Sequence, residues 1–429
     1  MQLSWKTLNE LECDFGEAFF LLDVQAFRKN YEEFLDAFRV IYPRSRIAYS
    51  YKTNYIPRLC WEVDRMGGYA EVVSSMEYDV ALRVGVDPRQ IIFNGPYKSE
   101  HDLERALLAG SVVNLDAYYE VDLIEAIGRR HPQAELKVGL RCNFELEDHH
   151  SSRFGFDAGA GGDLYEALKR LESIDNCVVA GLHCHFSSGH RSVESYVRRT
   201  RRLLELSASC FPRQPPHFID VGGGYFSKMS PELRSQFPGP VPSYGEYSAA
   251  IASEVAAAYP GADGPELILE PGSALTSDVM CFVAKVVARK RVRTRELALV
   301  AGSIHNIKPT LHGKQLPMTV VSAADLPDES HGERPADIVG YTCMEHDCLQ
   351  RGYRQRVRPG DYVVFQNVGA YTVVMKPPFI RPAPAILVLD DKNSVEVARR
   401  AECWDDLFGA FIFPNQPEPA LPPRPPGAV

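Results

Sequence analysis

No apolar run in this 429-residue chain is long enough to cross a bilayer, so no membrane-spanning helix is expected. The opening residues, MQLSWKTLNELECDFGE, carry no basic stretch followed by an apolar core, and a secretory signal is not expected either. There is no CxxC pair. The ten cysteines stand at irregular spacings and read as reduced, mostly buried thiols of a cytoplasmic protein. Positive charge is outnumbered, 47 Lys and Arg against 56 Asp and Glu. The formal net charge of -9 argues against a nucleic-acid binder that works through a broad basic face. A local basic run, RKRVRTR at 289–295, reads as a solvated strand edge rather than a phosphate tract.

What is present is a globular composition, 45% hydrophobic and 24% charged, in a chain long enough for two domains. From about residue 45 to 275, short apolar runs rich in β-branched residues alternate with longer stretches of helical spacing. The runs are RIAYSYK (46–52), YAEVVS (69–74), IIFNG (91–95), SVVNLD (111–116), LKVGLRC (136–142), VAGLHCHF (179–186), HFIDVGGG (217–224) and ELILEPG (266–272). Eight such units predict a (β/α)8 TIM-type barrel, in preference to a doubly wound open sheet. After about residue 275 the pattern changes. VMCFVAKVVARKRV, ELALVAG, PMTVVSA, DYVVFQNV, AYTVVM and AILVLD are strand-like, with Pro, Gly and Asp between them, and predict a mostly antiparallel β domain. The early run AFFLLD (18–23) is expected to join that domain. The organisation expected is an N-terminal segment 1–25 joining the β domain, a barrel over 26–275, a β domain over 276–412 and a disordered proline-rich tail over 413–429.

Chemistry on such barrels gathers at the C-terminal ends of the strands. Here Lys52 ends the first run, Glu71 and Ser74 lie at the second, and Arg141 ends the fifth. His185 and Ser188 follow the sixth, Gly222, Gly223 and Gly224 follow the seventh, and Glu270 ends the eighth. Each alone has an ordinary structural reading: a satisfied rim histidine, a turn, a loop. Together they converge on one mouth. Three glycines after a strand expose backbone N–H groups and let a phosphate approach, and Ser188 adds a hydroxyl. A lysine buried at the mouth has reason to be there if its amine, with a lowered pKa, attacks an aldehyde. A carboxylate opposite would hold a protonated ring nitrogen, and an imidazole would stack on a flat ring. Phosphate, aldehyde and pyridine nitrogen together describe pyridoxal phosphate, with Lys52 as the Schiff-base lysine.

These residues sit in stretches with a familiar order. AYSYKTN, AEVVSSMEY, FNGPYKS, SRFGF, GLHCHFSS, DVGGGY, LEPG, CMEHDCL and VGAYT resemble the fold-type III pyridoxal-phosphate decarboxylases, the group containing diaminopimelate and ornithine decarboxylases. The resemblance covers roughly residues 15–412. It implies an alanine racemase-like architecture, in which the barrel carries a C-terminal, mostly antiparallel β-barrel domain. It implies that His185 stacks on the cofactor ring and that Glu270 pairs with the pyridine nitrogen. Gly222, Gly223, Gly224, Ser188 and Tyr371 would surround the phosphate, and Glu71, Ser74 and Arg141 would shape the cofactor wall. Cys343 would come from the partner subunit of a head-to-tail homodimer and reprotonate the α-carbon after CO2 leaves. An acidic residue at position 270 favours a decarboxylase, since the related alanine racemases place an arginine there.

Departures from the family pattern cluster on substrate recognition. Ser273 stands where diaminopimelate decarboxylases read EPGR, Lys308 and His312 stand in KPTLH where they read RPALY, and Met344 stands in CMEHD where they read CESGD. Lysine offers a point charge where arginine offers a bidentate fork, so such changes should alter the substrate. With Met344 beside the cysteine, Glu345 or Asp347 would have to supply the acidic group that ornithine needs. The expected substrate is a non-standard or conjugated amino acid, for example a siderophore intermediate such as citryl-diaminopropionate, with Lys308, His312 and Arg153 meeting its extra carboxylates. The other readings are a diaminopimelate decarboxylase with a divergent pocket, a non-catalytic regulatory homologue, and a racemase or eliminating enzyme on the same cofactor.

Overall fold

The computed structural model describes residues 3–146, 152–186, 191–323, 334–389 and 394–414. Ser188 and the tail beyond residue 414 lie outside these. The chain forms two compact units. One is Val24–Val279 with Gly369–Val374; the other combines the described residues before Val24 with Met280–Val368 and those after Val374.

The first unit is an eight-stranded parallel barrel. Its strands are Ser45–Ser50, Tyr69–Val72, Ile91–Phe93, Val112–Leu115, Leu136–Asn143, Cys177–His183, Phe218–Asp220 and Glu266–Leu269. Each pairs in parallel with the next, and the last returns to the first through Leu267↔Ser45, which closes the ring. Each of the eight barrel runs overlaps one strand, and all but LKVGLRC extend past its C-terminal end, because burial continues beyond the regular strand. AYTVVM, expected as a strand of the β domain, is instead a succession of bends and turns, and Gly369–Val374 group with the barrel. Inside the ring, Ala48, Ile92, Ala180, Phe218 and Ile268 form one apolar cluster. Two glycines make room for its aromatic member: a Cβ on Gly139 would lie 2.9 Å from the Phe218 ring, and one on Gly181 would lie 2.7 Å from it. Several of the helices outside begin at serine caps. Ser74, Ser99, Ser192 and Ser243 each accept a hydrogen bond from a backbone N–H of the first turn, which satisfies donors that otherwise lack partners.

The second unit is a mixed, mostly antiparallel sheet built on the long strand Met280–Val292. Ala18–Leu22 runs antiparallel along its first half and Tyr362–Phe365 lies on the other side. Past an irregularity between Val286 and Ala288, the same strand pairs with Arg295–Val300. The two parallel pairings are Ala18–Leu22 with Ala385–Leu389 and Arg295–Val300 with Ala336–Val339. Among the described residues, the pairings do not join the outer strands to one another. Leu8 and Leu11, from the helix Trp5–Phe15, pack with Phe19, Val283, Val364 and Leu387 in its core. The basic run 289–295 is a hairpin. Arg293 sits at its turn with φ 56°, Arg289 and Arg291 lie 3.8 Å from Glu296, and Arg295 pairs with Asp337 at 2.8 Å. Three of its five basic residues are thus paired along a solvated edge. Among the described residues, no helix is long and apolar enough to cross a membrane.

Candidate active site

The first barrel strand ends at Ser50, and a single 3-10 turn, Tyr51–Thr53, carries Lys52 out of the wall. Its amine donates to Oε2 of Glu71, which is completely buried at the end of the second strand. Ser50 Oγ donates to the same oxygen at 2.5 Å. The Asn94 amide donates to Glu71 Oε1 at 3.0 Å and to Glu270 Oε1 at 2.5 Å, so one side chain bridges two carboxylates. Asn114 in turn fixes Asn94 by donating to its carbonyl oxygen at 2.8 Å. Burial pulls the Lys52 pKa down, but Glu71 and Glu270 outweigh it and the net shift is upward. This corrects the expectation of a lowered amine: the sequence places the lysine in an apolar run, and the fold surrounds it with carboxylates.

Behind Glu270 lie two further buried groups. His183 Nε2 is 3.6 Å from Glu270 Oε1, and neither nitrogen of His183 has a hydrogen-bond partner among the described residues. Burial alone would push Glu270 upward, yet His183 and Lys52 hold it below the usual carboxylate range. Asp220 moves the opposite way, pushed well up by burial and by the charge of Glu270. The two carboxyl groups are thus pushed apart, Glu270 toward the ionised form and Asp220 toward the protonated one. His185 is held as neutral imidazole well below its ordinary pKa by burial and by the nearby Lys52 amine. Its Nδ1 accepts from the Gly223 N–H at 3.1 Å, which puts the ring proton on Nε2. Arg141 donates to Asp116 Oδ1 at 2.9 Å and to the His185 carbonyl at 3.0 Å, and so secures the segment that carries the imidazole.

The seventh strand leads into the three glycines. Asp220 Oδ1 accepts from the Gly222 N–H at 2.9 Å, and Gly222 and Gly224 have φ of +69° and +101°. A Cβ on Gly222 would meet the Cys184 carbonyl oxygen at 2.4 Å, and one on Gly223 would meet that of Glu270 at 2.3 Å. No side chain fits here, so the backbone itself forms the surface. Gly223→Ala is expected to lower unfolding stability by about 1–3 kcal/mol through overpacking. Denaturant unfolding checks this, and a wild-type midpoint would show that the turn yields freely. Tyr371 reaches the same place with φ 55°, its N–H bonded to the Thr53 carbonyl at 2.9 Å.

Two cavities meet at Lys52, His185 and Glu270. The larger, about 560 Å³, is also lined by Glu71, Asn94, Arg141, Arg153 and Phe154, a size suited to a small organic ligand. The smaller, about 70 Å³, is also lined by Gly223, Gly224, Ser273 and Tyr371. A third cavity of about 630 Å³, beside Lys228 and Tyr244, contains none of these groups, so the chemistry and not the volume locates the site.

Other residues singled out in the sequence are placed differently. The Ser74 hydroxyl accepts from the Glu77 N–H at 3.3 Å and caps a helix. Arg153 lies with its guanidinium 4.1 Å over the Phe154 ring. Cys343, Met344, Glu345, Lys308 and His312 belong to the second unit, where Cys343, Glu345 and His312 are exposed and Met344 is half-buried. Lys308 is buried and donates to the Lys314 carbonyl at 3.0 Å. Asp347 is fully engaged, accepting from Ile304 N at 2.7 Å, Thr342 N at 3.0 Å and Ser303 Oγ at 3.2 Å. It is therefore a loop clamp, and Glu345 is left as the acidic neighbour of Cys343. Sequence reasoning missed Asn94, His183 and Asp220. All three lie within quoted motifs: FNG, GLHCHF, where two histidines two residues apart on a strand share a face, and DVGGG.

An amine between carboxylates, a neutral imidazole, a ring-sized cavity and a glycine cradle that any Cβ would fill fit pyridoxal phosphate, and they define an enzyme of that cofactor. The model for the pyridoxal-dependent decarboxylase, pyridoxal binding domain, matches residues 25–277, and the chain belongs to this family of amino-acid decarboxylases. The chain is 24% identical to the diaminopimelate decarboxylase of Aquifex aeolicus over 411 residues, covering 93% of this chain and 92% of that one. It is 26% identical to that of Mycobacterium leprae over 430 residues, covering 94% and 88%. Among solved structures it is similar to the diaminopimelate decarboxylase of M. jannaschii in co-complex with L-lysine, with TM-score 0.82, 22% identity and 94% of each chain covered. It is also similar to the arginine decarboxylase of Paramecium bursaria Chlorella virus, with TM-score 0.70, 21% identity and coverage of 87% and 97%.

Proposed function

We propose that this enzyme decarboxylates a non-standard or conjugated α-amino acid bearing extra carboxylates, of which citryl-diaminopropionate, a siderophore intermediate, is an example. The linked set Lys52, Glu71, Asn94 and Glu270 at one cavity carries the reaction class. When bound, pyridoxal phosphate supplies the electron sink that makes loss of CO2 possible. Lys52 provides the amine that binds it covalently, and Glu71 orients that amine. His185, its tautomer fixed by Gly223, offers a ring face. Glu270, held toward its ionised form, would keep the cofactor's ring nitrogen protonated, which favours decarboxylation over racemisation. Gly222, Gly223, Gly224 and Tyr371 would hold the phosphate, with Ser188, outside the described residues, as a further proposed donor, and Arg141 would support the wall. Ten free thiols suit a cytoplasmic enzyme.

Support for the substrate class comes from Ser273, Lys308, His312 and Met344, which replace family groups that hold the far carboxylate and amine of diaminopimelate or help bind phosphate, and from Asp347, which is unavailable as a substitute acid. Arg153, at the rim of the larger cavity, would meet a carboxylate. Titrating the cofactor-loaded enzyme with citrate-type polycarboxylates while following its visible absorbance tests this. Saturable binding is expected, and a pocket that rejects them overturns the substrate class. A diaminopimelate decarboxylase with a divergent pocket is the second reading, favoured by the relatives' names.

Each site is proposed to be completed by Cys343 of the partner subunit, as the donor that returns a proton to the α-carbon. Its thiol is exposed, as a group offered to another subunit must be. Lys52→Ala and Cys343→Ala proteins should each be inactive alone. Mixed and reassociated, they should recover about a quarter of wild-type CO2 release, since about half the dimers are hybrids with one intact site. No recovery, or full turnover by Cys343→Ala alone, contradicts the shared site.

A further inference from the structure

We propose that Arg199 supplies the fixed positive charge of the phosphate subsite. This rests on the reading of the glycine turn as the phosphate cradle. The helix Val193–Cys210 follows the sixth barrel strand, and Arg199 on its inner face is 1% exposed. Among the described residues its Nε and Nη1 have no hydrogen-bond partner, and Nη2 reaches only Ser195 Oγ, at 3.3 Å. A guanidinium does not lose its proton, so burying it without a counter-charge is unfavourable unless an anion arrives.

Its position shows where that anion would sit. Arg199 lines the 70 Å³ cavity together with Gly223, Gly224, Ser273 and Tyr371. Its guanidinium lies 3.9 Å from the centre of the Tyr196 ring, and the Tyr196 hydroxyl donates to the Gly223 carbonyl at 2.9 Å. One tyrosine thus holds both the cation and the turn. The Gly222 and Gly223 N–H groups already go to Asp220 and His185, which leaves the turn the Gly224 N–H, beside Ser273 with a hydroxyl; neither carries the charge that a phosphate dianion demands. The other charged groups on the cavity are Lys52, whose amine is committed to the cofactor aldehyde, Glu270, and Arg191, whose guanidinium lies 5.2 Å from the centre of the Phe226 ring. Arg199 is the cation that is both buried and short of acceptors, and its planar fork suits bidentate binding of phosphate.

The test compares pyridoxal phosphate with pyridoxal, which lacks the phosphate, in absorbance titrations of the cofactor-free protein. Arg199→Met should weaken pyridoxal phosphate about 10-fold or more and leave pyridoxal unchanged. Equal loss of both, or no change in their ratio, would mean that Arg199 only packs against Tyr196 and overturns the proposal. A wild-type protein with no preference for the phosphorylated form would instead refute the cradle reading itself. Should Arg199→Met fail to fold, Arg199→Gln removes the charge and keeps a polar side chain. Inorganic phosphate should raise the melting temperature of the cofactor-free wild type, and at least about half of that rise should be lost in Arg199→Gln; an identical rise in both proteins overturns the proposal.

Discussion

Lys52→Ala is expected to abolish the visible absorbance of the cofactor-loaded protein and to reduce CO2 release by at least about 10³-fold, as when a group acting at the reacting atoms is removed. The amine sits between Glu71 and Glu270, and among the described residues no other lysine lines either cavity at this mouth. Retained colour in the variant would mean that the covalent link lies elsewhere. The raised pKa has a consequence of definite sign. In the cofactor-free protein the amine is protonated at neutral pH, and only its deprotonated form attacks an aldehyde. The rate of cofactor capture should therefore rise as pH climbs toward that raised pKa. Glu71→Gln removes the nearest negative charge, lowers the amine's pKa and shifts the capture profile to lower pH. An unshifted profile would show that Glu71 does not set the amine's charge.

Glu270→Gln is expected to bind cofactor and to lose about 10²–10³-fold in turnover, the range found when one preorganised electrostatic partner is removed. Glutamine keeps the size and can still accept from Asn94, so the lost quantity is the charge. Because Glu270 is held below the ordinary carboxylate range, its charge persists as pH falls past the point where an ordinary glutamate is protonated, and is lost only as pH falls through its lowered value. An acid limb of activity near the usual glutamate pKa therefore belongs to another group. Wild-type turnover by Glu270→Gln would remove the electrostatic argument for decarboxylation. Removing the charge also removes one of the causes that push Asp220 upward, leaving burial as the largest and the charge of Glu71 beside it.

The barrel was legible because its strands are covered on both faces, so each reads as a continuous apolar run. The residue types at the strand ends were legible for the complementary reason, since polar groups that close such runs stand out. What the sequence hid were relations across the ring. Asn94 and Glu270 are 176 positions apart, and their contact exists only because the barrel closes. The Lys52 pKa depends on Glu71, 19 positions away on the next strand, so its direction could not be read from the apolar run around the lysine. Arg199 lies in VRRTRR among arginines that are half-buried or exposed; burial singles it out, and no local pattern does. Asp347 looked like a candidate acid in CMEHD until its three hydrogen bonds showed it holding a loop.

We propose decarboxylation of an amino acid other than diaminopimelate. It is tested most directly by measuring CO2 release from the cofactor-loaded enzyme given citryl-diaminopropionate, with meso-diaminopimelate, ornithine, lysine and arginine alongside. The expected result is CO2 from the conjugate and none from the four simple amino acids, with the visible absorbance intact throughout. Turnover of diaminopimelate at an ordinary enzymatic rate, ~1 per second or more, would contradict it and make this a lysine-forming enzyme whose pocket tolerates Ser273, Lys308, His312 and Met344.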